Sequence, residues 1–294
     1  MTHTLGIDLG GTSIKAVAVT AAGEKISEAN ETFVDADMEW ARKTRALVGR
    51  LQSELGPASA IGLSAPGLAS KDGRSIAVMP GRLVGLEGLD WTNYLGGTRP
   101  VPVLNDAHAA LLGEVWRGAA RGLKNVFLLT LGTGVGGAAM VDGHLLRGAI
   151  GRAGHLGHTV LDWQGPPDTT NCPGSLELAI GNKTILERSD GRFHTTHELV
   201  AAHLAGDAGA TGVWLRSVRA LACGIASLTN VLDPEAVIIG GGIARSGPAL
   251  FGPLEKFLRV VEWQAGGQRV KILPAQLGEL AGAYGAAANA LPPE

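Results

Sequence analysis

This chain predicts an α/β fold built as two similar lobes, and three observations carry that expectation. Short apolar strands alternate with amphipathic helices along most of the 294 residues. Glycine supplies 44 of them, about twice its usual ~7% share, with no Gly-X-Y period. The glycines cluster. Two clusters, Gly10-Gly11-Thr12 and Gly132-Thr133-Gly134-Val135-Gly136-Gly137, each lie between two apolar strands. They stand too far apart for a solenoid repeat and suit two copies of one α/β domain. The length agrees, at ~100–200 residues per domain.

The elements follow in order. Residues 4–8 form a short apolar strand, and residues 13–19 alternate as its hairpin partner across Leu9-Gly10-Gly11-Thr12. Ala21-Ala22-Gly23 turns the chain into a third strand over 24–32. Residues 38–55 read as a helix, with Trp40, Ala41, Thr44, Leu47, Val48 and Leu51 near one face. A buried strand over 60–64 ends at Pro66-Gly67, and a strand over 101–104 ends at Asn105-Asp106, with a helix over 107–119 behind it. Strands over 125–131 and 138–141 flank the second glycine cluster. Residues 148–175 are polar and rich in Gly and Pro, which predicts a long functional loop. Helices are expected over 176–180, 196–205 and 208–232, then a strand over 237–239 running into Gly240-Gly241-Gly242. A helix over 248–261, a strand over 270–274 and a small-residue helix over 280–291 complete the chain.

Composition excludes several classes. Apolar residues make up 45% and charged residues 18%, which rules out a disordered chain. A net charge of −2 argues against a broad nucleic-acid footprint. Cys172 and Cys223 cannot build a disulfide framework and have no CxxC spacing, so a reducing cytoplasm is expected. Residues 1–15 lack the pattern of a leader peptide, and no apolar run reaches the ~18 residues of a membrane span.

Four constellations carry chemistry. Asp8-x-Gly10-Gly11-Thr12-x-x-Lys15 gathers a carboxylate, a hydroxyl, a lysine and glycine N–H groups that can approach phosphate oxygens. Asp8 suits a hydrated Mg²⁺ held through water. Taken alone, the Gly-Gly pair is an ordinary hairpin; Asp8, Thr12 and Lys15 together favour phosphate chemistry. Gly132, Thr133, Gly134, Gly136 and Gly137 form a second phosphate loop by the same logic, or a bulged hairpin. They are no dinucleotide fingerprint, because a strand follows rather than a helix. Asn105-Asp106 stands where open α/β sheets place ligands, which makes Asp106 a candidate general base and equally a helix cap. Gly240, Gly241 and Gly242 follow a buried strand and offer a flat surface for a purine, or a plain turn.

In this order along essentially the whole chain, these segments resemble the ROK family of bacterial sugar kinases and repressors. Ala65-Pro66-Gly67, Asn105-Asp106-Ala107-His108-Ala109-Ala110, residues 154–158, Gly174-Ser175-Leu176-Glu177 and residues 280–287 complete the match. The resemblance implies a two-lobed actin-like ATPase (ribonuclease H-like) fold with a cleft between the lobes. An N-terminal lobe over 1–117 would be completed by the last helix, 280–294, and a C-terminal lobe would span 118–279. It implies ATP and Mg²⁺, a sugar near Pro66, Gly67, Asn105, Asp106, His155, His158 and Glu177, Asp106 as base, and a homodimer.

Two departures stand out. The family commonly has Glu-x-Gly-His where this chain reads His155-Leu156-Gly157-His158, so a hydrogen-bond donor can replace an acceptor beside the sugar. Many members also carry a Cys-x-Cys-Gly-x-x-Gly-Cys-x-Glu zinc motif. Anchored on Glu177, its cysteine positions hold Asp168, Thr170 and Ser175. His158 and Cys172 supply two ligands and His155 a conceivable third, against the four of a structural site, so structural zinc is not expected. The predicted function is ATP-dependent phosphorylation of a hexose or hexose derivative, with the 6-hydroxyl as acceptor. The alternatives are a sugar-binding regulator, expected here to be without a DNA-binding module, an inactive homologue, and polyphosphate in place of ATP.

Overall fold

The computed structural model describes residues 2–292. Met1, Pro293 and Glu294, which fall within the predicted N-terminal lobe, lie outside the described residues. The strands are β1 (Thr4–Leu9), β2 (Ser13–Val19), β3 (Lys25–Thr32), β4 (Ala60–Ala65), β5 (Leu68–Ala69), β6 (Ile76–Val78), β7 (Val103–Asn105), β8 (Val126–Leu131), β9 (Val135–Val141), β10 (His144–Leu145), β11 (Ala236–Gly240) and β12 (Lys271–Pro274). The helices are α1 (Glu39–Leu55), α2 (Trp91–Tyr94), α3 (Asp106–Arg117), α4 (Leu176–Ile180), α5 (Ile185–Arg188), α6 (Thr196–Leu204), α7 (Ala208–Leu232), α8 (Pro248–Val261) and α9 (Ala281–Ala290). The long predicted helices and strands are all present, within a few residues at each end. The hairpin of β5 and β6 and the short helices α2 and α5 were not foreseen, being too brief to show a period.

Two compact units divide the chain. The first runs to Gly122 and includes Leu145–Ala153 and the segment from Gln276 onward. Its sheet has the order β3-β2-β1-β4-β7. β1 is antiparallel to β2 and parallel to β4, and β4 is parallel to β7. β2 alternates faces as its sequence predicts. Ile14, Ala16 and Ala18 join the α1 side with Trp40, Leu47 and Leu51, while Val17 and Val19 meet Ala283, Tyr284 and Ala287 of α9.

Helix α9 packs so closely that glycine is required opposite it. A Cβ at Gly6 would lie 1.9 Å from Ala283 O, and one at Gly62 would lie 1.9 Å from Ala286 O. On its other side a Cβ at Gly285 would lie 1.7 Å from Ala109 O of α3. The small-residue sequence of α9 is therefore a backbone-to-backbone contact surface. Glu114, fully buried, ties its approach to α3. The carboxylate accepts from Ala119 N at 2.7 Å, Gln276 N at 2.9 Å and Leu277 N at 2.8 Å. Residues 145–153, expected in the second lobe, pack in the first unit, where His108 Nε2 lies 2.9 Å from Ala153 O.

The second unit comprises Leu123–His144 and Gly154–Ala275. Its sheet, β10-β9-β8-β11-β12, repeats the plan of the first: a glycine hairpin, then two parallel strands beside its first member. Helix α7 starts at Asp207, whose side chain accepts from Ala210 N, and buries Trp214, Val218, Leu221, Ala222 and Ile225 along one stripe. Among the described residues no helix is long and apolar enough to cross a membrane.

Candidate functional site

In the first unit the predicted residues converge at the C-terminal ends of β1, β4 and β7. Asp8 pairs in register with Lys15 across the hairpin and with Ser64 on β4. Ser64 Oγ donates to Asp8 Oδ1. Gly282 of α9 leaves room for the carboxylate, since a Cβ there would lie 2.6 Å from Asp8 Cγ. Burial pushes the Asp8 carboxyl up to about 6; the Ser64 hydrogen bond opposes this, the Asp106 charge adds to it and Lys15 opposes it. Lys15 Nζ also pairs with Glu279, at 3.2 Å. The hairpin turn Gly10-Gly11-Thr12 is closed by Gly10 N donating to Ser13 O at 2.8 Å.

Asn105 is both a cap and a tether. Its Oδ1 accepts from Ala107 N at 3.0 Å and His108 N at 3.3 Å, starting α3. Its Nδ2 donates to Gly67 O at 2.8 Å, which fixes the Pro66-Gly67 turn against that helix. Gly67 has φ 100° and no space for a side chain, with Val78 O 2.5 Å from where a Cβ would stand. Asp106, the first residue of α3, is exposed. Its Oδ1 accepts from Ala107 N at 2.8 Å, and its charge is close enough to Asp8 to perturb it.

In the second unit the glycine loop is shorter than predicted. Gly132-Thr133-Gly134 forms the turn, while Gly136 and Gly137 belong to β9, paired with Thr130 and Leu129. Gly137 is needed for packing, since a Cβ there would lie 2.6 Å from Leu156 Cβ. Gly240 ends β11 beside Thr130, and Gly241, at φ 87°, lies against the Leu131 backbone. Both glycine segments of this unit thus meet at the ends of two adjacent parallel strands. Glu177 on α4 reaches the same turn: its Oε2 accepts from Val135 N at 3.1 Å, and a Cβ at Gly134 would lie 2.0 Å from that oxygen.

His155 and His158 bracket a short 3₁₀ turn over Leu156–His158. Asp168, at the first of the three cysteine positions, has a fully buried side chain that accepts from His158 Nδ1 at 2.8 Å. Burial pushes the Asp168 carboxyl up, but the hydrogen bonds from His158 and Thr170 outweigh it and hold it well below the usual carboxylate range. No group of three or more His, Cys, Asp or Glu is placed to hold a metal among the described residues.

Sequence reasoning missed three supports. Arg82 donates to Gly11 O at 2.8 Å, which puts a guanidinium on the first glycine turn. Asn182 N donates to Gly132 O at 2.9 Å and Lys183 N to Thr133 O at 2.8 Å, so the 3₁₀ turn Asn182–Thr184 buttresses the second. Arg188 holds that turn in place, donating to Gly181 O at 2.8 Å and to Thr184 Oγ1 at 3.1 Å. Burial brings the Arg188 guanidinium down to about 10. No motif marks these residues, because each acts on backbone carbonyls or on the turn behind the glycines.

The ROK family model matches residues 4–292. A glucokinase of Halalkalibacterium halodurans is 31% identical over 96% of this chain and 92% of its own. The crystal structure of a ROK hexokinase from Thermus thermophilus has TM-score 0.85 at 31% identity, covering 98% of both chains. That of a ROK family glucokinase from Streptomyces griseus, in complex with glucose and AMPPNP, has TM-score 0.81 at 26% identity, covering 98% of this chain and 99% of that one.

Proposed function

The chain belongs to the ROK family, and from that premise we infer that it catalyses ATP-dependent phosphorylation of a hexose or hexose derivative, on the actin-like ATPase fold it shares with that family. The observation that carries the reading is the Asn105-Asp106 corner, an exposed carboxylate on the first turn of α3, tethered through Asn105 to the Pro66-Gly67 turn.

The chemistry follows from the groups present. Asp106 takes the proton from the sugar hydroxyl, the 6-hydroxyl in this reading. The freed oxygen forms a bond to the γ-phosphorus, the bond from that phosphorus to the β,γ-bridging oxygen breaks, and ADP leaves. Such a transfer depends on position and on charge stabilisation. Backbone N–H groups of Gly11 and Gly134, with Thr12 and Thr133, are assigned to the phosphates, in turns closed by Gly10 N on Ser13 O and Gly132 N on Gly134 O, and Gly240–Gly242 to the nucleoside. Pro66, Gly67, Asn105, His155, His158 and Glu177 are assigned to the sugar.

The residues present fit Mg²⁺. Asp8 carries a carboxyl raised by burial and by the neighbouring Asp106 charge, a condition that a divalent cation relieves. Asp8 would hold the cation through water, and it would supply charge neutralisation for the phosphates. The test is a coupled assay of ADP release with ATP against glucose, mannose, fructose, N-acetylglucosamine and N-acetylmannosamine, with a polyphosphate arm that measures sugar phosphate. Turnover on one or more of these sugars with ATP supports the reading; no turnover on any sugar with either donor overturns it. A homodimer, also proposed, is tested by sedimentation.

A further inference from the structure

The segment between His158 and Glu177 is where many relatives place zinc, and the donor set here does not fit one. Both carboxylate oxygens of Asp168 are already used. Oδ2 accepts from His158 Nδ1 at 2.8 Å. Oδ1 accepts from Thr170 N and Thr170 Oγ1, both at 2.8 Å, and from Cys172 N at 3.1 Å. The backbone closes around the same residue, with Asp168 N donating to Cys172 O at 2.9 Å and Asn171 N to Asp168 O at 3.1 Å. Asn171 takes φ 66° to make that turn. The side chain at the centre has no solvent exposure. Four hydrogen bonds onto one buried carboxylate do for this loop what tetrahedral coordination does for a metal-bound one, since each fixes a direction and together they fix a fold.

The loop's stem carries the order onward. Val160 bridges Ser175, Leu161 N donates to Gly174 O at 2.9 Å, and Leu176 N donates to Thr159 O at 2.9 Å. Ser175 is the N-cap position of α4, two residues before Glu177. At the other end, the His158 ring is 24% exposed. Its Nδ1 is committed to Asp168, and the described residues provide no partner for its Nε2.

We propose that Asp168 is a positioning residue that stands in place of a metal: it sets the tautomer of His158, with the proton on Nδ1 and a lone pair on Nε2 that accepts from a sugar hydroxyl, and it closes the loop that delivers Glu177. A metal on one ring nitrogen would leave the other protonated, a donor. The exchange of metal for carboxylate therefore reverses the sense of the hydrogen bond that this histidine offers. The proposal rests on the sugar-kinase reading only for the ligand of Nε2; the tautomer and the loop stand without it.

The experiment uses the full-length chain, ¹⁵N-labelled, at pH 8. Two-dimensional ¹H–¹⁵N spectra are expected to show His158 with a protonated Nδ1 and a pyridine-type Nε2, and hydrogen exchange to show protected Thr170 and Cys172 amides. Elemental analysis should find no stoichiometric zinc after purification with added zinc. Asp168→Asn should expose both amides, mix the tautomers, and raise KM for the sugar by ~10-fold or more, the loss of a charge-assisted hydrogen bond, while KM for ATP stays within about twofold. A His158 protonated on Nε2, or one zinc per chain, overturns the proposal in the unmutated protein, whether or not Asp168→Asn folds. A folded Asp168→Asn with an unchanged tautomer and sugar KM overturns it as well. If the chain phosphorylates no sugar, the functional reading fails while the tautomer and exchange results still decide the role of Asp168.

Discussion

Asp8→Asn should make the protein more stable and nearly inactive. The native carboxyl, largely enclosed and close to Asp106, titrates at about 6 against an ordinary 3.8. The sign follows from proton binding: between those values the native state holds the proton more tightly than the unfolded chain does. Stability therefore falls as pH rises through that window, and the full penalty is present above about pH 6. A rise from 3.8 to about 6 corresponds to ~3 kcal/mol at most. Asparagine keeps an oxygen for the Ser64 hydroxyl and carries no charge, so it escapes the penalty. At ~2–4 °C per kcal/mol for a chain of this order, Tm at pH 7.5 should rise by up to ~6–12 °C, and the gain should shrink towards zero near pH 4. Turnover should drop ~10²-fold or more through the lost charge at the phosphates. Thermal melts of both proteins from pH 4 to 8, with coupled kinetics at pH 7.5, measure the two effects. A gain independent of pH, or a less stable Asp8→Asn at pH 7.5, would refute the electrostatic account of this residue.

Asp106→Asn should leave sugar binding largely intact by calorimetry and lower kcat by ~10²-fold or more, in the range of general-base catalysis; near-normal turnover in the folded variant removes it from that role. Gly134→Ala places a methyl 2.0 Å from Glu177 Oε2, and the displaced carboxylate should cost ~5- to 150-fold in kcat/KM. Gly132→Ala is its control for folding, since a Cβ there meets nothing within 4 Å, and its Tm should match the parent protein. His155→Glu should reorder kcat/KM among glucose, mannose, fructose and the N-acetylhexosamines by a similar factor, with KM for ATP unmoved; an unchanged order and unchanged sugar KM values place His155 outside the sugar contacts.

The elements were legible where periodicity is strong. Helix α7 and the two glycine hairpins follow from apolar spacing and from the glycines that close the hairpins. The placement of Asp8 and Asn105-Asp106 at strand ends was legible because strand ends and helix starts leave recognisable residue pairs. The second glycine run misled at its far end: Gly136 and Gly137 look like loop residues in sequence, yet they pair with Thr130 and Leu129 in β9, and Gly154 and Leu156 pack on Gly137. Arg82, Arg188 and Glu114 carried no pattern at all. Arg82 and Glu114 act on backbone groups brought from distant positions, at Gly11 and at Gln276 and Leu277, and such pairings have no footprint in a local window; Arg188 acts on the nearby Gly181 and Thr184 through a turn that carries no motif.

Helix α9 has a consequence for the order in which the molecule is made. The sheet of the first unit begins at Thr4, but one face of it is covered by residues 281–290, the last helix of the chain. While the chain is still being synthesised, Val17, Val19 and the bare backbone at Gly6 and Gly62 have no cover. The second unit, bounded by Leu123 and Ala275, is complete in sequence before that helix exists. Synthesis usually lets the N-terminal domain fold first. Here β1, β2 and β4 are made before the second unit and are covered on that face only after it, so one apolar side of the sheet stays open until residues 281–290 have been made. Pulse-labelled chains stalled before residue 281 should bind chaperones through that sheet and release on extension past residue 290.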